Sequence, residues 1–275
     1  MVEQGRIFGW GPFPALGPAG AGWAWVIPFA FGSLIMIRYL RSSTSIVQLS
    51  FSGIAPRWEL FADILKVGVP GLVNTAITNL SIVILTGTAG QFGQEAAIGY
   101  AMGARLEYIM QPIAFGFGTA IVAMVGTNWG AGQYQRARQI AWTGALTTAA
   151  VCRTIGLIVA IQPSPWLGLF SNDPEVAHFG SQYLRIVGPA CLCFGLGLGL
   201  FFGSLGFGRG VAAMTANAVR LIVSAVAGIA AAHWLGLGVP GFCAAVAAGF
   251  ALYAALLMHT VLRVKDPDGS PSTQK

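Results

Sequence analysis

The sequence predicts an all-α, polytopic membrane bundle of about seven transmembrane helices. Three observations carry that prediction. Of 275 residues, 55% are hydrophobic and only 9% are charged, against about 25% charged in an ordinary soluble domain. Mean hydropathy is +0.70. The apolar residues gather in runs of about 20 or more, enough to cross a hydrocarbon core, separated by turns rich in Gly, Pro and Arg. The 38 glycines suit helices in lipid, where small residues let backbones approach. The bilayer is therefore the first expected partner. The net charge of +6 reads as basic loops on one side of that bilayer, and no nucleic-acid partner is expected.

The start, Met-Val-Glu-Gln-Gly-Arg and then a Gly/Pro-rich stretch, has no basic region leading into a continuous apolar core, so it does not read as a signal peptide. The first span covers residues 15–37, with Trp23 and Trp25 near its start and Arg38 and Arg41 closing it. A polar linker follows at 42–57. Residues 58–66 form an amphipathic piece expected to lie along the membrane surface and to turn inward at Gly68-Val-Pro70. The second span, 64–86, carries Asn74, Thr78 and Ser81 on one face. Such residues either bond a neighbouring helix or line a cavity.

The third span, 96–125, holds two charges, Arg105 and Glu107, and a proline, Pro112. Two mid-span charges cost about 5–7 kcal/mol on the insertion scale, so this span should pack inside the bundle. Tyr100, Gly103, Glu107, Gln111, Ala114 and Gly118 recur at steps of three and four and share a face. Pro112 leaves the carbonyl of Tyr108 without its helical partner. Polar atoms thus collect around Glu107, either as a structural carboxylate or as a point on a solute or ion pathway. The span ends in a glycine-rich turn containing Gly126, Asn128, Gly130 and Gly132, followed by Arg136 and Arg138.

The fourth span, 140–161, carries Arg153 and is stopped by Gln162-Pro-Ser-Pro165. Ser171 or Asn172 is placed to cap a short helix beginning at Pro174. The fifth span, 183–205, is rich in glycine. The sixth, 211–235, has Asn217, Arg220 and Ser224 at helical spacing, and a tight turn at 236–241 leads to the seventh, 242–262. The tail, 264–275, is polar and expected to be disordered.

Most of the 15 Lys and Arg fall on alternate turns and helix ends: Arg38, Arg41, Arg57, Lys66, Arg136, Arg138, Arg209, Arg220, Arg263, Lys265 and Lys275. That side, with the C-terminus, is expected in the cytoplasm of a multi-pass protein of the inner (plasma) membrane. Cys152, Cys191, Cys193 and Cys243 sit within apolar runs as small hydrophobes. His178, His233 and His259 stand singly. No metal, no cofactor and no catalytic residue is expected, and without a nucleophile–base pair the chain does not read as an enzyme.

Several stretches together carry a family resemblance. Val125-Gly-Thr-Asn-Trp-Gly-Ala-Gly-Gln133, with Arg136-Ala137, resembles the loop after the eighth helix of the multidrug and toxic compound extrusion (MATE) family. Gly103-Ala-Arg-Leu-Glu-Tyr108 is similar to one bacterial branch of it. So are Trp142-Thr-Gly-Ala145, Leu169-Phe-Ser-Asn-Asp-Pro-Glu175 with Tyr183-Leu-Arg-Ile-Val187, and Gly206-Phe-Gly-Arg209. Phe8-Gly-Trp-Gly-Pro-Phe-Pro14 with Leu16-Gly-Pro-Ala-Gly20 resembles the outer loop before the sixth helix.

The resemblance implies a twelve-helix exporter of two six-helix lobes, exchanging small organic, often cationic solutes for Na+ or H+. Residues 1–41 would correspond to an outer loop and the last helix of a missing first lobe, 42–57 to a cytoplasmic linker, and 58–263 to the six-helix second lobe. A first lobe or a second copy is then the expected partner. Neither familiar cation site of the second lobe carries over, since the second span has no carboxylate after Asp63 and the fifth offers Arg185. The candidate pathway or coupling residues are Glu107, Arg105, Gln111, Tyr100, Asn74, Thr78 and Asn217. Gly126, Asn128, Gly130, Gly132 and Arg136 form the loop motif. Two other readings stay open: a flippase of lipid-linked or polysaccharide substrates from the same superfamily, and an inactive truncated or scaffolding membrane fragment.

Overall fold

The computed structural model describes residues 17–42, 58–233 and 236–264. The linker at 43–57, the start of the chain and nearly all of the 264–275 tail lie outside them. The elements among the described residues are all helices: α1 Gly17–Leu40, α2 Trp58–Gly90, α3 Gln94–Gly130, α4 Tyr134–Ile161, α5 Pro163–Leu167, α6 Pro174–Gly206, α7 Gly210–His233 and α8 Gly238–Leu262. Six of these, α2 from Gly71 onward, α3, α4, α6, α7 and α8, are long and apolar enough to cross a membrane. In α1 the apolar part is the shorter Val26–Leu40. The chain divides into two compact units between Trp58 and Glu59. The first holds α1 and the second holds the six long helices with α5.

The centre of the second unit is α6. It packs against α4, α3 and α8, while α7 packs mainly on α8. Its composition explains why it can be shared by so many neighbours. Gly188, Gly195 and Gly199 meet Gly156, Cys152 and Ala145 of the antiparallel α4, backbone close to backbone. A Cβ on Gly195 would lie 2.7 Å from Cys152 Cβ and 2.9 Å from Ala149 Cα. The α4 side of this seam, Ala137, Ala141, Ala145 and Ala149, repeats every fourth residue and is buried. Lipid tails are as apolar as the side chains, so close packing of small residues replaces the hydrophobic drive between such helices. On its other face α6 runs beside α3, with Gly103 under the Tyr183 ring and Gly118 under Phe202. Exposed aliphatics such as Leu72, Leu146, Ile161 and Ile222 ring the outside, as a lipid-facing surface requires.

Several sequence expectations need correction. The helix does not break at Gly68-Val-Pro70; α2 is continuous from Trp58. One proline removes one donor, and in lipid the remaining backbone groups still need intrahelical partners. The glycine-rich stretch is not all turn either, because α3 continues to Gly130. Only Gly132 has positive φ, at +74°. Gly132 N–H donates to the Trp129 carbonyl and Gln133 N–H to the Asn128 carbonyl, the paired bonds of a Schellman stop. Gly208, also at +74°, ends α6 in the same way. The two stops touch, since the Trp129 ring lies 5.0 Å from that of Phe207. The loop after α4 folds into α5, with Pro163 at its first turn. The cap of α6 is Asp173, not Ser171 or Asn172: its side chain accepts from Glu175 N–H at 2.9 Å, and Pro174 opens a helix that runs unbroken to Gly206.

Candidate functional site: a polar cavity inside the bundle

Asn74, Thr78 and Asn217 come together. Asn217 on α7 is 3% exposed. Its Nδ2 donates to Asn74 Oδ1 at 2.8 Å and to Thr78 Oγ1 at 3.0 Å on α2, with a longer 3.3 Å contact to the Asn74 carbonyl. The Thr78 hydroxyl itself donates to the Asn74 carbonyl at 3.0 Å. The residues that bond a neighbouring helix here also line a cavity. It measures about 80 Å3 and is walled by Asn74, Thr78, Gln111, Asn217, Arg220 and Tyr253 with apolar rings from α3 and α6.

Arg220 is the residue that the sequence reading missed. Counted there as a basic group at a cytoplasmic helix end, it is instead 6% exposed and lies inside the lobe. It is the eleventh residue of α7, about 15 Å along the helix. Its Nε donates to Asn217 Oδ1 at 2.9 Å. Its guanidinium lies 5.5 Å from the Phe250 ring and 5.7 Å from the Tyr253 ring. Space for it comes from Gly249 on α8, where a Cβ would strike Ser224 Oγ and lie 3.6 Å from Arg220 Cγ. The available signal was its place ten residues into an apolar run, in step with Asn217 and Ser224.

Glu107 and Tyr100 form a second group beside the cavity. Glu107 is half-buried and accepts a hydrogen bond from the Tyr183 hydroxyl on α6 at 3.0 Å. Tyr100 meets the Tyr183 ring edge-on at 5.1 Å and Phe242 at 5.4 Å. Gly103 permits this approach. The stripe read from the sequence is thus the face of α3 that packs on α6. Glu107 stands one turn before Gln111, which does reach the cavity wall. Arg105, two residues earlier in the chain, points elsewhere: it is exposed and lies 4.8 Å from the Phe170 ring, where Trp166 Nε1 ties α5 to the Met102 carbonyl at 3.1 Å.

The loop motif holds helix ends in place. Asn128 Nδ2 donates back to the Met124 carbonyl at 2.7 Å, and Arg136 Nη1 reaches Gln133 Oε1 at 3.5 Å. Gly126 sits 3.7 Å, by its Cβ position, from the Gly206 carbonyl, while Gly130 is exposed.

The MatE family profile matches residues 70–234, which takes in α2 from its fourth turn, then α3 to α7, and so the hydrogen-bonded network of Asn74, Thr78, Asn217 and Arg220. The chain belongs to the MatE family. It is an integral membrane protein. This MatE chain is similar to a probable multidrug resistance protein NorM of Thermotoga maritima, 25% identical over 188 residues, 68% of this chain and 40% of that protein. It is also similar to an FAD transporter of Shewanella oneidensis, 25% identical over 231 residues, 81% of this chain and 49% of that protein. The outward-facing structure of a multidrug resistance MATE family transporter shares its fold, with a TM-score of 0.85 at 16% identity over 95% of this chain and 58% of that one. The MatE chain spans about 40% of the length of the first curated relatives it matches.

The asparagine pair should be energetically coupled. In a double-mutant cycle of Asn74→Ala and Asn217→Ala, we expect a coupling energy of about 0.6–1.7 kcal/mol, read from unfolding in detergent. A coupling near zero would mean that the pair does not bond across α2 and α7.

Proposed function

We propose that this MatE chain is the second lobe of a secondary exporter that moves small organic solutes, cationic drugs among them, in exchange for Na+ or H+. The observation that carries the reading is the polar cavity, walled by Asn74, Thr78, Gln111 and Asn217, inside a MatE bundle. Polar groups within membrane helices are costly in lipid and mark solute pathways. Transport rather than catalysis is the activity, with no cofactor beyond the coupling ion. The protein sits in the inner (plasma) membrane with its C-terminus in the cytoplasm.

Glu107 is the coupling group. Its carboxylate bridges α3 and α6 through Tyr183, so taking up a cation or proton changes a contact between two helices. Pro112 loosens α3 just beyond it. In such exporters one lobe rocks against the other around a midplane site. A first lobe or a second copy of this chain completes the pathway, because a polar face with the half-buried Asn74, Thr78 and Gln111 would otherwise meet lipid.

The test is drug resistance in a strain stripped of its own exporters, combined with the particle's mass in detergent. Resistance is expected only where the particle exceeds one chain. Robust export by a particle of monomer mass would overturn the second-lobe assignment.

A further inference from the structure

We propose that the cavity at Arg220 is an oxyanion subsite, binding a carboxylate or phosphate group carried by the transported solute. The inference rests on the exporter reading and names the chemistry of one end of its substrate.

Charge is the first argument. Arg220 is the ionised group of the cavity wall, which contains no acidic side chain. The described hydrogen-bond partner of Arg220 is the neutral Asn217, and the rings of Phe250 and Tyr253 flank it. The Glu107 carboxylate accepts its hydrogen bond from Tyr183. A guanidinium at mid-span without a carboxylate in contact is costly in a membrane, and such residues mark functional sites. A solute ammonium entering here would meet a like charge, whereas an oxyanion would neutralise it.

Geometry is the second argument. Nε is taken by Asn217, and that bond fixes the plane of the guanidinium. The remaining edge is the fork that matches a carboxylate or phosphate. Gln111 and Tyr253 add an amide and a hydroxyl to the same wall. Size is the third. About 80 Å3 suits a single charged group, while a drug-sized molecule needs about 300–1,000 Å3. The rest of the solute therefore lies outside this cavity. A zwitterionic solute satisfies both this subsite and the expectation of a cationic group elsewhere on the pathway.

The experiment is binding rather than transport, so its failure is separate from failure of the exporter reading. The whole chain is placed in phosphatidylcholine nanodiscs and titrated calorimetrically with two probes of similar shape, 1-naphthyl phosphate and 1-naphthylmethylammonium. The phosphate should bind about tenfold to a hundredfold tighter, the range of a charge-assisted hydrogen bond. Arg220→Gln should erase the preference, Arg220→Lys should keep part of it, and Arg153→Gln, on the exposed side of α4, should keep it all. If Arg220→Gln does not fold, the comparison of probes on the unmodified chain decides alone. Adding phosphatidylglycerol to the discs distinguishes the source of the oxyanion. Loss of naphthyl phosphate affinity assigns the subsite to an anionic lipid headgroup, and unchanged affinity assigns it to a soluble solute; both retain the oxyanion subsite. Equal or tighter binding of the ammonium, binding of neither probe, or a preference that survives in folded Arg220→Gln protein overturns it.

Discussion

Gly199→Leu should leave the second unit unable to assemble as a stable bundle. Gly199 sits on α6 where the backbone of α4 passes, and a Cβ there would strike Ala145 Cα and lie 3.0 Å from its Cβ. Ordinary overpacking costs about 1–3 kcal/mol because side chains can rotate aside. Here the obstacle is backbone, and the neighbouring steps of the seam, Cys152 on Gly195 and Ala141 near Gly203, cannot shift independently. The cost should reach or exceed the top of that range, seen as loss of monodisperse protein in detergent and a large fall in Tm. Gly116→Leu is the matched control, since a Cβ at Gly116 meets nothing within 4 Å. Equal melting of Gly199→Leu and Gly116→Leu would show that the α4–α6 contact is not close.

The second large effect is functional. Glu107→Gln should reduce drug resistance to that of cells without the protein, while expression and melting stay near the parent's. Glutamine keeps the size and still accepts the Tyr183 hydroxyl bond, so packing between α3 and α6 survives. It removes the charge that would bind a cation or proton. Tyr183→Phe is the complementary change: it keeps the carboxylate, loses the 3.0 Å bond, and should weaken resistance without abolishing it. Unchanged resistance in Glu107→Gln, in an otherwise active assembly, would make Glu107 a purely structural residue.

Much of this was legible in the sequence, for physical reasons. Long apolar runs can only be spans, and the Tyr100–Gly118 stripe had to be a buried face because it repeats at the helical period. Asn74, Thr78 and Asn217 stood out as polar groups in apolar helices. What periodicity could not supply was the partner across each interface. The glycines of α6 read as generic membrane packing, yet their match to the alanines of α4 puts α6 at the centre. Arg220 was hidden by a counting rule that assigns arginines to loops, although its depth in α7 was visible. Arg105 and Glu107 are two residues apart and so face different directions on a helix; only the fold reveals that one meets Phe170 and the other Tyr183. Helix ends are not legible where glycines continue a helix before stopping it, as at Gly126–Gly132.

The most direct test of ion-coupled export is solute flux in proteoliposomes containing the assembly purified with this chain. An imposed pH or Na+ gradient should drive a fluorescent organic cation across the membrane, and an ionophore that collapses the gradient should stop it. Flux of the same rate with the gradient collapsed, or no flux under either gradient, would contradict a MatE exporter that works by exchange.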